Sequence, residues 1–98
     1  MTVDINCAGV SCKGDLFQYV IANLLKLEKQ YSWLKASEVF FKDVDDAEGK
    51  RKICEIELKM PGSGVFASAK NTDFQLAAKE TIKILNKRLR KHNESFIA

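Results

Sequence analysis

Histidine, proline and tryptophan each occur once in this 98-residue chain, and the three cysteines leave an odd count. Each scarcity excludes something. His92 is far in sequence from every cysteine, and no two of Cys7, Cys12 and Cys54 stand at the CxxC spacing of a zinc or redox site. The cysteines are therefore expected to be small buried hydrophobes of a reducing cytosol. No apolar run reaches membrane-spanning length, and Met1-Thr2-Val3-Asp4-Ile5 reads as a strand, not a targeting segment. No glycine-rich phosphate loop follows a strand, because Gly62 and Gly64 sit in a hairpin pattern. No serine or cysteine lies in a nucleophile motif, and Glu55 and Glu57 alternate on a strand with no cleft to raise a pKa. The chain is thus read as no enzyme, with no catalytic residue, no metal and no cofactor.

What is present describes an ordinary soluble globular chain: 46% hydrophobic and 30% charged residues, enough for one domain, 1–98, around one core. The formal net charge is only +3, which does not by itself demand a nucleic-acid partner. Its distribution says more. Six of the sixteen cations lie between Lys79 and Lys91 against one acid, Glu80, while Asp43, Asp45, Asp46 and Glu48 gather in mid-chain. That asymmetry would orient the molecule in the field of a polyanion.

Residues 2 to 8 alternate, with Val3, Ile5 and Cys7 to one side, as a half-buried strand does. A helix follows, capped by Asp15 with Gln18 three positions on, and runs to about Tyr31. Leu16, Val20, Leu24, Leu27 and Tyr31 form its apolar stripe, widened by Phe17 and Ile21, and Lys26 and Lys29 lie opposite. Tyr19, among those lysines, is expected to bury its ring against lysine stems and not to stack on a base. Trp33 closes the core edge in the connection 32–37. Residues 38–44 and 51–60 are strands, separated by an acidic turn-prone loop at 45–50. Pro61-Gly62 fits a type II turn into a fourth strand with Val65, Ala67 and Ala69 inward.

The last helix organises the chain. Thr72 and Gln75 have the spacing of a capping box, and Phe74, Ala77, Ala78, Thr81, Ile82, Leu85 and Leu89 recur as one apolar face. Lys79, Lys83, Lys87, Arg90 and Lys91 fall on the opposite face within an arc of roughly 120°. Arg90-Lys91-His92, taken as the last turn, suits the negative end of the helix dipole. The cationic face is either a solvated surface or a phosphate-binding strip, and composition leaves both open. The order β-α-β-β-β-α, with apolar stripes on both helices, predicts an α/β (α+β) two-layer sandwich: a four-stranded sheet with both helices packed on one face. The other sheet face is expected to be wet and to carry Phe40, Ile53 and Phe66 among Lys42, Glu55, Glu57 and Lys59.

Leu27-Glu28-Lys29, Glu38-Val39-Phe40-Phe41-Lys42, Met60-Pro61-Gly62 and Phe66-Ala67-Ser68 before Asp73-Phe74 resemble the ribosome hibernation-promoting factors, or ribosome-associated inhibitors. The similarity spans nearly the whole chain, is most specific from Gly64 to Lys91, and is to a short form without the family's C-terminal extension. Three positions depart from the family pattern: Lys13 stands where a threonine often caps the first helix, Gln75 where an aromatic is usual, and Ile84 where a lysine is common. The resemblance implies a fold related to double-stranded-RNA-binding domains. It also implies a cytoplasmic monomer, with no membrane or small-molecule partner, that binds the small ribosomal subunit and its rRNA near the decoding region. There it would inhibit translation when growth slows, as in stationary phase or stress. Carried over by position, Lys26, Lys87 and Lys91 match the family's basic residues; Lys29, Lys79, Lys83 and Arg90 are further RNA-binding candidates from the helical pattern. Two other functions fit the same fold: a protein-interaction module using the sheet, and a free double-stranded-RNA binder. Salt separates phosphate binding from an apolar interface.

Overall fold

A computed structural model describes residues 1–7, 9, 12, 14–46 and 49–97, and the side chains of these except 46, 49, 50 and 94–97. The elements are β1 (Thr2–Asn6), α1 (Gly14–Gln30), β2 (Ala36–Asp46), β3 (Gly49–Met60), β4 (Ser63–Asn71) and α2 (Phe74–Ile97). The four strands form one mixed sheet in the order β1-β2-β3-β4, parallel between β1 and β2 and antiparallel elsewhere. This is the α+β arrangement expected from the element order.

Period-two alternation decides which side chains meet the helices. Val39 and Phe41 of β2, Cys54, Ile56, Leu58 and Met60 of β3, and Val65 and Ala67 of β4 are buried. They share one core with Leu16, Val20, Leu24 and Leu27 of α1 and with Ala77, Ala78, Ile82, Leu85 and Leu89 of α2. Both helices therefore cover the same sheet face. Ile21 does not widen the α1 stripe as expected: it is 37% exposed, because its position on the helix points past the sheet. Tyr19 and Trp33 are half-buried against the core.

Polar groups inside the core are satisfied. The Thr81 hydroxyl lies 2.7 Å from the Ala77 carbonyl and 3.2 Å from the Cys54 carbonyl, which couples α2 to β3. Ser37, also buried, donates to the Thr2 carbonyl at 3.4 Å beside the parallel β1–β2 pairing. At the β3–β4 turn Gly62 has φ +74°, as the second central residue of a type II turn requires, while Pro61 precedes it with its fixed φ.

Four expectations need correction. Cys7 and Cys12 are joined in a disulfide; the chain turns at Gly9 (φ +73°) and brings their Cα atoms to 6.3 Å, within bridging range. Cys54 alone is a buried free thiol. α1 begins at Gly14, placing Asp15 inside its first turn; Lys13 lies outside the described residues. α2 is capped by Asp73 and not Thr72. The Gln75 amide donates to Asp73 Oδ1 at 2.6 Å and the Ala77 amide to the Asp73 carbonyl at 3.0 Å, while Thr72 is held by Asn71 Oδ1. A carboxylate at this position also meets the positive end of the helix dipole. Finally, α2 continues to Ile97, so Arg90-Lys91-His92 are not its last turn and the dipole argument for them lapses.

Two outcomes follow. Leu85→Ala should lower stability by about 2–5 kcal/mol, and Lys83→Ala by no more than about 0.5 kcal/mol, read from urea denaturation. Burial, aided by the Glu55 charge and opposed by the Thr81 hydroxyl, pushes the Cys54 thiol from 9.0 up to about 11. The native state then holds a proton between about pH 9 and 11 that the unfolded chain releases. Cys54 should make stability fall across that window by up to about 1.4 kcal/mol per pH unit, and a Cys54→Ala variant measured alongside should show a correspondingly smaller fall.

Candidate nucleic-acid interface

The seven basic candidates, Lys26, Lys29, Lys79, Lys83, Lys87, Arg90 and Lys91, are all exposed. Their exposure follows from helical phase. Ala77, Ala78, Thr81, Leu85 and Leu89 turn inward, so the residues half a turn away face solvent. From Lys79 to Lys91 the strip runs along α2 for about 18 Å. Leu76, 48% exposed, lies at its start. Glu80, the acid that interrupts the cations in sequence, accepts from Asn71 Nδ2 at 2.9 Å and is drawn towards β4. None of the seven forms an ion pair with a described residue.

The sixth cation of this segment behaves differently. Arg88 donates through Nη1 to the Phe66 carbonyl and so covers the outer edge of β4. Arg88 is not among the seven candidates, and the structure gives it an edge-capping role.

The acids are also arranged, though not as a loop. β2 extends to Asp46 and β3 begins at Gly49, so Asp43, Asp45 and Asp46 belong to a strand; Glu48 lies outside the described residues. Register places Asp43 opposite Lys52, and the two pair at 2.5 Å. Lys52 also stands 5.2 Å above the Phe74 ring, at the start of α2. Asp43 and Asp45 alternate with the open-face Lys42, so they rise on the helix side of the sheet. Because β1 and β4 both run parallel to β2, each helix starts at this acidic end. Charge therefore segregates along the helices: acids Asp15, Asp43, Asp45 and Asp73 at their N-terminal end, cations along the body and beyond.

The open sheet face is mixed in charge: Asp4, Glu38, Glu55 and Glu57 share it with Lys42, Arg51, Lys59 and Lys70. One row across neighbouring strands reads Asp4, Glu38, Glu57, Phe66 and the next reads Phe40, Glu55, Ser68. Lys59 pairs with Glu38 at 2.8 Å and Lys42 with Glu55 at 2.9 Å. Bonding to Glu38, with the charges of Glu38, Glu57 and Asp4, holds the Lys59 ammonium above its ordinary range. Phe40 and Ile53 are half-buried there and Phe66 is 47% exposed. Among the described residues no group of three or more His, Cys, Asp or Glu could hold a metal ion.

Comparison with known proteins gives a family. The sequence profile of the sigma 54 modulation protein / S30EA ribosomal protein family matches residues 3–96. Among solved structures, a ribosomal subunit interface protein from Coxiella burnetii superposes with a TM-score of 0.83 at 19% identity, covering 96% of this chain and 99% of the other. The N-terminal domain of Protein Y from Thermus thermophilus gives 0.77 at 16% identity, covering 94% and 99%. At these identities the superpositions speak for the fold. A search of curated proteins finds no match.

Like charge should keep the acidic end away from phosphates. The triple variant Asp45→Asn/Asp46→Asn/Glu48→Gln should elute from a heparin column at the same salt as the wild type or slightly higher. Earlier elution would mean that this end contacts the anion directly.

Proposed function

Because this chain belongs to the sigma 54 modulation protein / S30EA ribosomal protein family, we propose that it binds the small ribosomal subunit near the decoding region and inhibits translation. The observation that carries the reading is the set of seven exposed cations on the helix layer, free of ion pairs to described residues. Such side chains have no partner to give up when they meet a phosphate, and each contact releases a condensed counterion. Lys79, Lys83, Lys87, Arg90 and Lys91 line α2, and Lys26 and Lys29 supply the second helix. The action is steric and electrostatic occupation, with no chemical step, so the protein is proposed to be a non-enzymatic monomer of one domain.

The name of the Coxiella relative, a ribosomal subunit interface protein, supports this choice over a free double-stranded-RNA binder. The interaction-module alternative would use the sheet, where acids and cations are mixed and Lys42 and Lys59 are already engaged by carboxylates. Ribosome binding puts the protein in the cytoplasm.

Sedimentation with purified subunits and inhibition in a cell-free extract test the reading. Lys87→Glu/Lys91→Glu should stay folded, lose most small-subunit association and no longer suppress translation. Each neutralised contact should reduce the slope of log affinity against log salt by about 0.7–0.9. Lys70, opposite Ile53 on the open face, is the control: Lys70→Glu should inhibit as the wild type does. Loss of inhibition in Lys70→Glu with full inhibition by the helix variant would transfer the function to the sheet.

A further inference from the structure

Beyond the cationic strip, at the end of the sheet where α1 stops and the β3–β4 turn reaches α2, there is a cavity of about 140 Å³ lined by Trp33, Met60, Pro61 and His92. Its position follows from the chain. α1 closes through the Tyr31 amide on the Leu27 carbonyl, and Leu34 donates back to Tyr31, which leaves Trp33 at the apex of a tight connection. Since α2 runs on past the expected stop, His92 returns to the inward side of the helix, in line with Ala78 and Leu85. There it meets Trp33 with centroids 5.5 Å apart and planes at 45°. Tyr31 backs the indole at the same distance and 56°. The rings make one wall; Met60 and Pro61 make the other.

We propose that this cavity binds one unstacked pyrimidine base of single-stranded RNA, a deepening that rests on the RNA-binding reading above. Three observations favour that occupant. Among the described residues the lining offers ring faces, a thioether and a proline ring and no carboxylate, which suits a flat neutral ring. Its size is that of a single six-membered ring, since an apolar cavity of roughly 150 Å³ holds one benzene. Three exposed cations neighbour the lining aromatics in sequence, where they could meet the phosphates on either side of such a base. Lys91 precedes His92 and Lys29 lies two residues before Tyr31; Lys35, two residues after Trp33, has its amide bonded to the Lys59 carbonyl at 2.9 Å. All three are exposed, and Pro61 and the half-buried Trp33 and His92 leave the cavity a solvent side. Sequence-specific RNA recognition works on such splayed bases, stacked on aromatic side chains.

The single tryptophan is the reporter. A six-nucleotide oligouridylate should quench Trp33 fluorescence at low salt, whereas an abasic RNA of the same length should neither quench nor bind as well. Stacking of one base should make the uridylate about 5- to 150-fold tighter. His92→Ala, whose fold is checked by circular dichroism, should weaken the uridylate and leave the abasic strand unchanged. On purified small subunits, Trp33→Leu should reduce affinity and Trp33→Phe should restore much of it. Equal quenching by the abasic strand, or none by the uridylate, overturns the base site. Quenching by oligoadenylate as strong as by oligouridylate overturns its pyrimidine assignment. These outcomes are independent of the ribosome reading: if subunits retain the wild type but uridylate leaves Trp33 unquenched, the cavity proposal fails alone. If subunits do not retain it, the ribosome reading fails whatever the oligomers do.

Discussion

The seat of α2 on β3 and β4 is the constraint on which the surface depends. Ala77, Ala78 and Thr81 are fully buried at the helix–sheet contact, and small side chains there let the two backbones approach closely. The bifurcated Thr81 hydroxyl then adds direction, since it reaches the Cys54 carbonyl only in one rotation of the helix. A shift of one residue would turn the helix by about 100° and send Lys83 or Lys87 towards the core, at the cost of burying an unpaired charge. Apolar packing thus decides where the cations point. Charge takes no part in that choice, which is why the strip can be unpaired without endangering the fold.

The parallel direction of β1, β2 and β4 has an electrostatic consequence. It makes the two helices start together, so their positive dipole ends sit at one end of the molecule, where Asp15, Asp43, Asp45 and Asp73 offset them. The lysines and arginines along the helix bodies are left uncompensated. With a net charge of +3 and a Debye length of about 8–10 Å in physiological salt, long-range steering is weak. Local charge, not net charge, is then what distinguishes one face of the molecule from another.

Most of this was legible from the residues, because it rests on periodicity. The periods of two and 3.6 located every element, the helix pairing on one sheet face, and the exposure of all seven basic candidates. What was not legible depended on distances between parts of the chain. Cys7 and Cys12 carry no spacing signal, and their approach comes from the backbone turn at Gly9. Asp73 displaced Thr72 as the cap because both residue types suit that place, and only the hydrogen bonds choose between them. His92 was misplaced among the cations for a plainer reason. The helix was ended too soon, and its inward position becomes evident only when the 100° step is carried through Lys91 to the ring of Trp33. RNA contact by the candidates is a separate matter, since exposure is a condition for binding and not its demonstration.

The open sheet face sharpens the choice between the two layers. Asp4, Glu38 and Glu57 lie side by side on three neighbouring strands, and like charges in such positions cost stability. Lys59 bonds to one of them and is held charged by all three, which offsets part of that cost. Lys42 is likewise engaged by Glu55. A phosphate approaching this face would meet Lys42 and Lys59 already bonded to carboxylates, and would have to break those pairs while standing near further acids; Lys70 stands on the β4 edge of the same face. On the helix layer the same phosphate would meet lysines with no ion pair to surrender. The two layers of one small fold therefore differ in what a polyanion must displace. That difference follows from strand register and helix phase, not from net charge.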